Sequence, residues 1–232
     1  MIQLVVFDMA GTTVNENNVV YKTLHRAIQG VGYPVSLEEV LLWGAGKEKR
    51  QAIIDTVQEI HGQNLSAQEA EAIHTHFRQE LTLAYQTLDV QPCEGAEAVF
   101  ATLQSAGIKV GLNTGYGRET ADQLLRKLGW QVGREIDACV TADQVERGRP
   151  HPDMIWLVME QTGISDPQQV AKIGDSIIDI EEGKAAKCGL SLGVTTGAHT
   201  RDQLASAQPD HVLDQLSELL TLLSIEPRTS SA

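Results

Sequence analysis

The sequence predicts an α/β protein: a Rossmann-like core built on a parallel sheet, with an all-helical insert placed after its first strand. Three observations predict it. Ile2 to Phe7 is an almost continuous apolar, β-branched run ending at Asp8 and Gly11, the pattern of a strand buried on both faces. Beyond Pro92, short strand-like runs alternate with helical spacings, which implies β-α-β units. Between Asn15 and Val90 that rhythm stops, and amphipathic helical patterns replace it. The expected division is residues 1–14 and 91–232 for the core and 15–90 for a helical cap domain.

Within the insert, Val20, Leu24, Ala27, Ile28 and Val31 form one apolar stripe. Ser36 with Glu39, and Ser66 with Glu69, match the capping box, in which two side chains satisfy amides that a helix start leaves unpaired. Ile73, Phe77, Leu81 and Leu88 continue the last helix. In the core, strands are expected at Ile108 to Leu112, Ile136 to Val140, Val170 to Ile173 and Leu190 to Val194, with Ala121, Leu124, Leu125 and Leu128 marking a helix that stops at Gly129. Ligands of such sheets bind beyond the carboxyl ends of the strands, where Asp8, Asn113 to Gly115 and Gly174-Asp175 fall. An insert that leaves after the first strand and returns at Gln91-Pro92 hangs over that end as a lid. The polar run Glu226 to Ala232 reads as a frayed end.

Composition limits the function classes. The 232 residues, 42% hydrophobic and 21% charged, suffice for a sizeable core without disulfides or a structural metal. Eighteen basic against 31 acidic residues leave a net charge of -13, a field that repels nucleic acid. No apolar run approaches the roughly 18 residues that span a bilayer, so no membrane partner and a cytoplasmic location are expected. Cys93, Cys139 and Cys188 are odd in number and include no Cys-x-x-Cys pair; they read as small buried residues. His74 and His76, two apart on a helix, point to different faces and read as solvated.

Four short motifs stand in order: Asp8-Met9-Ala10-Gly11-Thr12-Thr13-Val14, Asn113-Thr114-Gly115, Arg149-Pro150, and Gly174-Asp175-Ser176-Ile177-Ile178-Asp179. Each alone is a weak signal. Together, at strand ends or before a helix, they resemble the haloacid dehalogenase superfamily over the whole core. Ala10, Thr114-Gly115-Tyr116 and Gly148-Arg149-Pro150 resemble its phosphonatase branch more narrowly, and in the insert Gly44-Ala45-Gly46-Lys47 is similar to that branch's lysine segment.

The resemblance implies a hydrolase in which Asp8 attacks phosphorus to form an aspartyl-phosphate, a step that needs a cation between two anions. It implies Mg2+ held by Asp8, the Ala10 carbonyl and Asp175. Asp179 is expected to orient metal-bound water or a basic partner. Thr114 and the neighbouring amides, Gly115 included, would bind phosphoryl oxygens, and Arg149 would neutralise charge there. Tyr116 and Arg50 are candidate substrate contacts. Blander readings stand beside these: Asp175 and Asp179 as helix caps, Thr114 as a turn hydroxyl, Arg149 as a solvated charge, and Tyr116 as packing.

Ala10 is the informative departure. Phosphate-ester hydrolases of the superfamily carry an aspartate there that protonates the departing oxygen, and a methyl group has no proton to give. The phosphonatase branch instead uses a lysine that forms an imine with an aldehyde, and Lys47 aligns with it; the alternative is that Lys47, Lys49 or Arg50 only attracts an anion. The branch has histidine where Arg50 stands and tryptophan where Met9 stands. The expected substrate is phosphonoacetaldehyde or a related small phosphonate. The alternatives are a phosphate ester of a small metabolite, or binding of such a metabolite without turnover. The branch also implies a homodimer.

Overall fold

The computed structural model describes residues 1–225; the segment Glu226 to Ala232 lies outside the described residues. A parallel sheet of six strands forms the centre: β1 (Leu4–Asp8), β4 (Lys109–Thr114), β5 (Ala138–Thr141), β6 (Val170–Gly174), β7 (Leu190–Val194) and β8 (His211–Leu213). Their order is β5-β4-β1-β6-β7-β8. The chain therefore builds outward from β1 to one edge, crosses back, and builds to the other. That reversal leaves a crevice beyond the carboxyl end of β1, where Asp8 stands in register with Asn113.

β1 is fully buried because both faces are covered. Val5 and Phe7 join one apolar cluster with Val99, Phe100 and Leu103 of α5 (Ala96–Ser105). Phe100 meets Phe7 and Trp130 edge-on, with ring centres 5.2 Å apart in each case. Leu4 and Val6, on the opposite face, pack with Met154, Ile155 and Val158 of α7 (Asp153–Thr162). Burying side chains of this size contributes about 1.5–3 kcal/mol each. α6 (Arg118–Leu128), α8 (Ile177–Ala185), α9 (Arg201–Ser206) and α10 (Glu218–Leu222) complete the helical layers.

The strand at Leu190 to Val194 has the expected bounds, whereas the others run further toward their carboxyl ends. β8 was not expected. It is three residues long and sits at a sheet edge, so it carries no full alternation.

The segment between β1 and β4 holds α1 (Val19–Gly30), α2 (Leu37–Gly44), α3 (Lys49–His61) and α4 (Ala67–Thr87). Both capping boxes form. The stripe on α1 ends at Ile28; Val31 caps the helix and is half-exposed. On α4 the buried seam is Ala70, Ile73, Phe77, Leu81 and Tyr85, and Leu88 lies beyond the helix end. α3 begins where the Glu48 carboxylate accepts from the amides of Arg50 and Gln51, which fixes the faces on which the adjacent lysines lie. A two-residue antiparallel ribbon, β2 (Val14–Asn15) with β3 (Gln91–Pro92), ties the segment's two ends together. Its apolar interior is continuous with that of the sheet.

Candidate active site

Asp8 ends the central strand and is 5% exposed. A tight turn follows, in which Thr12, Thr13 and Val14 donate their amides to the Met9 carbonyl while the Thr13 hydroxyl donates to the Asp8 carbonyl at 2.8 Å. Gly11 has φ +82°, and a Cβ there, or on Gly197, would collide with the Asp175 carboxylate. The glycines thus let two backbone segments close around Asp175, which also accepts from the Ala198 amide at 2.6 Å.

One carboxylate oxygen from each of Asp8, Asp175 and Asp179 lies within 4.8 Å of the others. Burial, reinforced by Asp8 and Asp179, pushes the Asp175 carboxyl well above the usual range. Burial likewise raises Asp8, against the pull of Arg149. For Asp179 burial acts upward, but Arg149 and Lys172 outweigh it and hold the carboxyl low.

The cations explain this asymmetry. Arg149 is not the solvated charge of the blander reading, since its side chain is completely buried. Its guanidinium donates to Asp8 Oδ1 at 2.7 Å, to Glu182 at 2.9 Å and to the Asn113 carbonyl and side-chain oxygens at 3.0 and 2.7 Å. Lys172, inside β6, donates to Asp179 at 2.8 Å and to the Asn113 side chain at 2.9 Å. Asp179 is therefore engaged with basic partners, as is one oxygen of Asp8, while Asp175 accepts from the Ala198 amide. Three buried carboxyl groups, Asp8, Asp179 and Glu182, pair with the buried cations Arg149 and Lys172, and Asp175, also buried, pairs with neither. A hard divalent cation fits that surplus and that oxygen-only donor set. The Ala10 carbonyl accepts none of the amides of Gly11 to Val14, which use the carbonyls of Met9 and Val14 instead.

Thr114 is buried, and its hydroxyl oxygen accepts from the Tyr116 amide at 3.2 Å, so it serves the turn while keeping its own hydrogen to donate. Gly115 packs directly on the carbonyls of Gly46 and Lys47, so its contribution is close approach of two loops. Tyr116 is buried, with its hydroxyl 3.2 Å from that of Tyr85.

Three expectations in the insert need correction. The Lys47 ammonium is bound by Asp55 of α3, on the flank it shares with Gly148 and Arg149. Lys49 occupies the inner position instead: it is 6% exposed, donates to the Lys47 carbonyl at 2.6 Å, and lies 5.4 Å from the ring centres of both Tyr21 and Tyr116. Burial lowers its pKa to about 8, with Asp8 among the groups pulling back. The reason is the helix start at Glu48, which turns Lys49 inward. Arg50 points away, pairing with Glu71 at 3.3 Å and donating to the Ala67 carbonyl. His74 is not solvated either: its ring stacks on Phe77, and burial lowers its pKa. His76 is half-exposed and pairs with Glu80.

A cleft of about 380 Å³ opens between α3, α4 and the loop after β4, lined by Lys49, His74, Phe77, Gly115 and Tyr116. Residues not anticipated as site groups include Glu16, Tyr21, Tyr85, Lys172, Glu182 and His199. Lys172 had a signal, a charge interrupting an apolar strand. His199 accepts the Ile177 amide on Nδ1 at 2.9 Å and reaches the Leu41 carbonyl from Nε2 at 3.2 Å, joining the start of α8 to α2. Burial lowers its pKa, which keeps the imidazole neutral.

The chain is similar to known proteins. The family model for haloacid dehalogenase-like hydrolases matches residues 2–187. A phosphonoacetaldehyde hydrolase of Bacillus thuringiensis subsp. konkukian is 28% identical over 230 residues, covering 93% of this chain and 85% of that one. A phosphonoacetaldehyde hydrolase-like protein from Oleispira antarctica superposes with a TM-score of 0.81 at 24% identity, covering 96% and 91%. A predicted phosphoglycolate phosphatase from Haemophilus somnus superposes at 0.76 and 19%, covering 96% and 98%. These last two likenesses are of fold.

Proposed function

Because the chain belongs to the haloacid dehalogenase-like hydrolase family, we propose that this hydrolase is a Mg2+-dependent phosphonatase whose substrate is phosphonoacetaldehyde or a similar small carbonyl-bearing phosphonate. The observation that carries the reading is Lys49, an amine whose pKa burial lowers to about 8, held between Tyr21 and Tyr116 in a site where Ala10 offers no acid. At neutral pH an ordinary lysine is almost wholly protonated and cannot attack a carbonyl; Lys49 is neutral often enough to do so.

The neutral amine adds to the aldehyde and loses water to form an imine. Arg149 holds Asp8 Oδ1, which leaves the other carboxylate oxygen to attack phosphorus. As that bond forms, the phosphorus-carbon bond breaks and its electron pair enters the protonated imine, giving an enamine on Lys49. The enamine carbon then takes up a proton to become an imine again, and water hydrolyses the aspartyl-phosphate and that imine in turn, releasing phosphate and an aldehyde. Asp8, Asp175 and the Ala10 carbonyl would hold Mg2+, which would supply positive charge for the meeting of two anions. Thr114 donates its hydroxyl hydrogen to a phosphoryl oxygen, and closure of the insert keeps bulk water away.

The helical segment of residues 15–90 acts in this reading as a cap that carries Lys49 to the core. A panel of phosphonates and phosphate monoesters assayed with Mg2+ tests the proposal. The expected products are phosphate with acetaldehyde from phosphonoacetaldehyde. Phosphate with an alcohol, from monoesters alone, would replace it with a phosphomonoesterase, and tight binding without phosphate release would replace it with a binding protein.

A further inference from the structure

Glu16 sits just past the β2 ribbon, 2% exposed, with its carboxyl accepting from the Val20 amide at 3.0 Å. The Tyr85 hydroxyl is 3.4 Å from the same oxygen and 3.2 Å from the Tyr116 hydroxyl. Three polar side chains from the linker, from α4 and from the loop after β4 therefore form one continuous line through an apolar interior. Glu16 also borders an open cleft of about 370 Å³, with Gly11, Asn15, Cys93 and Thr196. At the far end, Tyr116 borders the cleft that Lys49 enters. The line thus runs from the outer cleft at Glu16 to the cleft that Lys49 and Tyr116 border.

We propose that Glu16, Tyr85 and Tyr116 are a proton relay that supplies the departing half of the substrate with the proton Ala10 cannot give. The relay rests on the hydrolase reading of the site above. In one turnover the Glu16 carboxyl proton passes to the Tyr85 oxygen, the Tyr85 hydroxyl proton passes to the Tyr116 oxygen, and the Tyr116 hydroxyl proton passes to the leaving atom. The leaving atom is the enamine carbon of a cleaved phosphonate or the alkoxide oxygen of a cleaved ester. Each tyrosine gains one proton and loses one, Glu16 is left as a carboxylate, and water in the outer cleft returns its proton. The two hydroxyl contacts are long for O–H···O bonds and are of the kind that tighten on substrate binding.

Burial supports the assignment by pushing the Glu16 carboxyl up to about 7, against the Val20 and Val19 amides, Tyr85 and Lys49, so that it is part protonated near neutral pH. Tyr21, Tyr116 and the Cys93 thiol face it as well and are raised by burial, so they stay neutral there. A free glutamate would be ionised and could not begin the transfer.

The test is a leaving-group comparison. p-Nitrophenolate departs without a proton, whereas ethoxide needs one to depart and the enamine carbon needs one before its imine can be hydrolysed. Wild type, Glu16→Gln and Tyr85→Phe are assayed on p-nitrophenyl phosphate and on whichever of phosphonoacetaldehyde and ethyl phosphate the wild type turns over faster. In both variants, kcat for the proton-requiring substrate is expected to fall about 100-fold more than kcat for p-nitrophenyl phosphate. The basic limb of the kcat profile near pH 7 should also disappear in Glu16→Gln. Equal losses on the two substrates would show a structural role and overturn the relay, as would no loss on either. A wild type that releases phosphate from none of the three would overturn the function proposed for the site itself.

Discussion

A Cβ built on Gly115 would stand 2.5 Å from the carbonyl oxygen of Lys47. The loop after β4 and the loop before α3 are thus in contact at the backbone, and no side chain fits between them.

Gly115→Ala is therefore expected to leave the sheet intact while holding the cap loop away from Asp8. Its kcat/KM should fall about 10- to 100-fold, since a displacement of about 1 Å at a reacting centre costs that much. Steady-state kinetics beside a thermal unfolding scan checks this; a normal kcat/KM would mean that the loops need not touch.

Asp8→Asn should abolish phosphate release and keep the fold, because the amide still accepts from Arg149 but cannot become an acyl phosphate. Adding EDTA to the wild type should stop turnover, and Mg2+ should restore it. Calorimetric titration with MgCl2 should show binding that Asp175→Asn loses. Turnover by Asp8→Asn near the wild-type rate would remove Asp8 as nucleophile.

Borohydride reduction with phosphonoacetaldehyde, followed by peptide mass mapping, should find the adduct on Lys49 and none on Lys47. Lys49→Ala should lose turnover, while Lys47→Ala, which frees Asp55, should keep most of it. An adduct on Lys47 would require that residue to leave Asp55 and swing inward.

Glu16 also makes stability depend on pH. Its folded pKa, about 7, lies above the ordinary 4.5. The folded state therefore binds the proton more tightly, and the stabilisation is full below about pH 4.5 and lost as pH rises through about 7. Urea unfolding at a series of pH values should show wild type losing about 3 kcal/mol relative to Glu16→Gln across that interval. Parallel curves for the two proteins would mean that Glu16 is not buried as described.

The core was legible in the sequence because three of the four motifs end a run whose periodicity marks a strand, so Asp8, Thr114 and Asp175 could be placed at one end of one sheet. The cap was legible as helices through its capping boxes. Which lysine faces inward was not, because Lys47 and Lys49 differ only in where α3 begins, and that depends on the Glu48 carboxylate. Glu16 and Tyr85 lie 69 positions apart and meet only through packing of the cap against its own linker. No local spacing records such a pair.

Two side chains beyond β4 hold the helical segment 15–90 by its main chain: Arg149 donates to the carbonyl of Gly46, and His199 reaches the carbonyl of Leu41. Such a grip recognises the path of the backbone and is indifferent to the side chains that the path carries. Side chains of residues 15–90 can be exchanged without loosening these two bonds, provided that the helices keep their course.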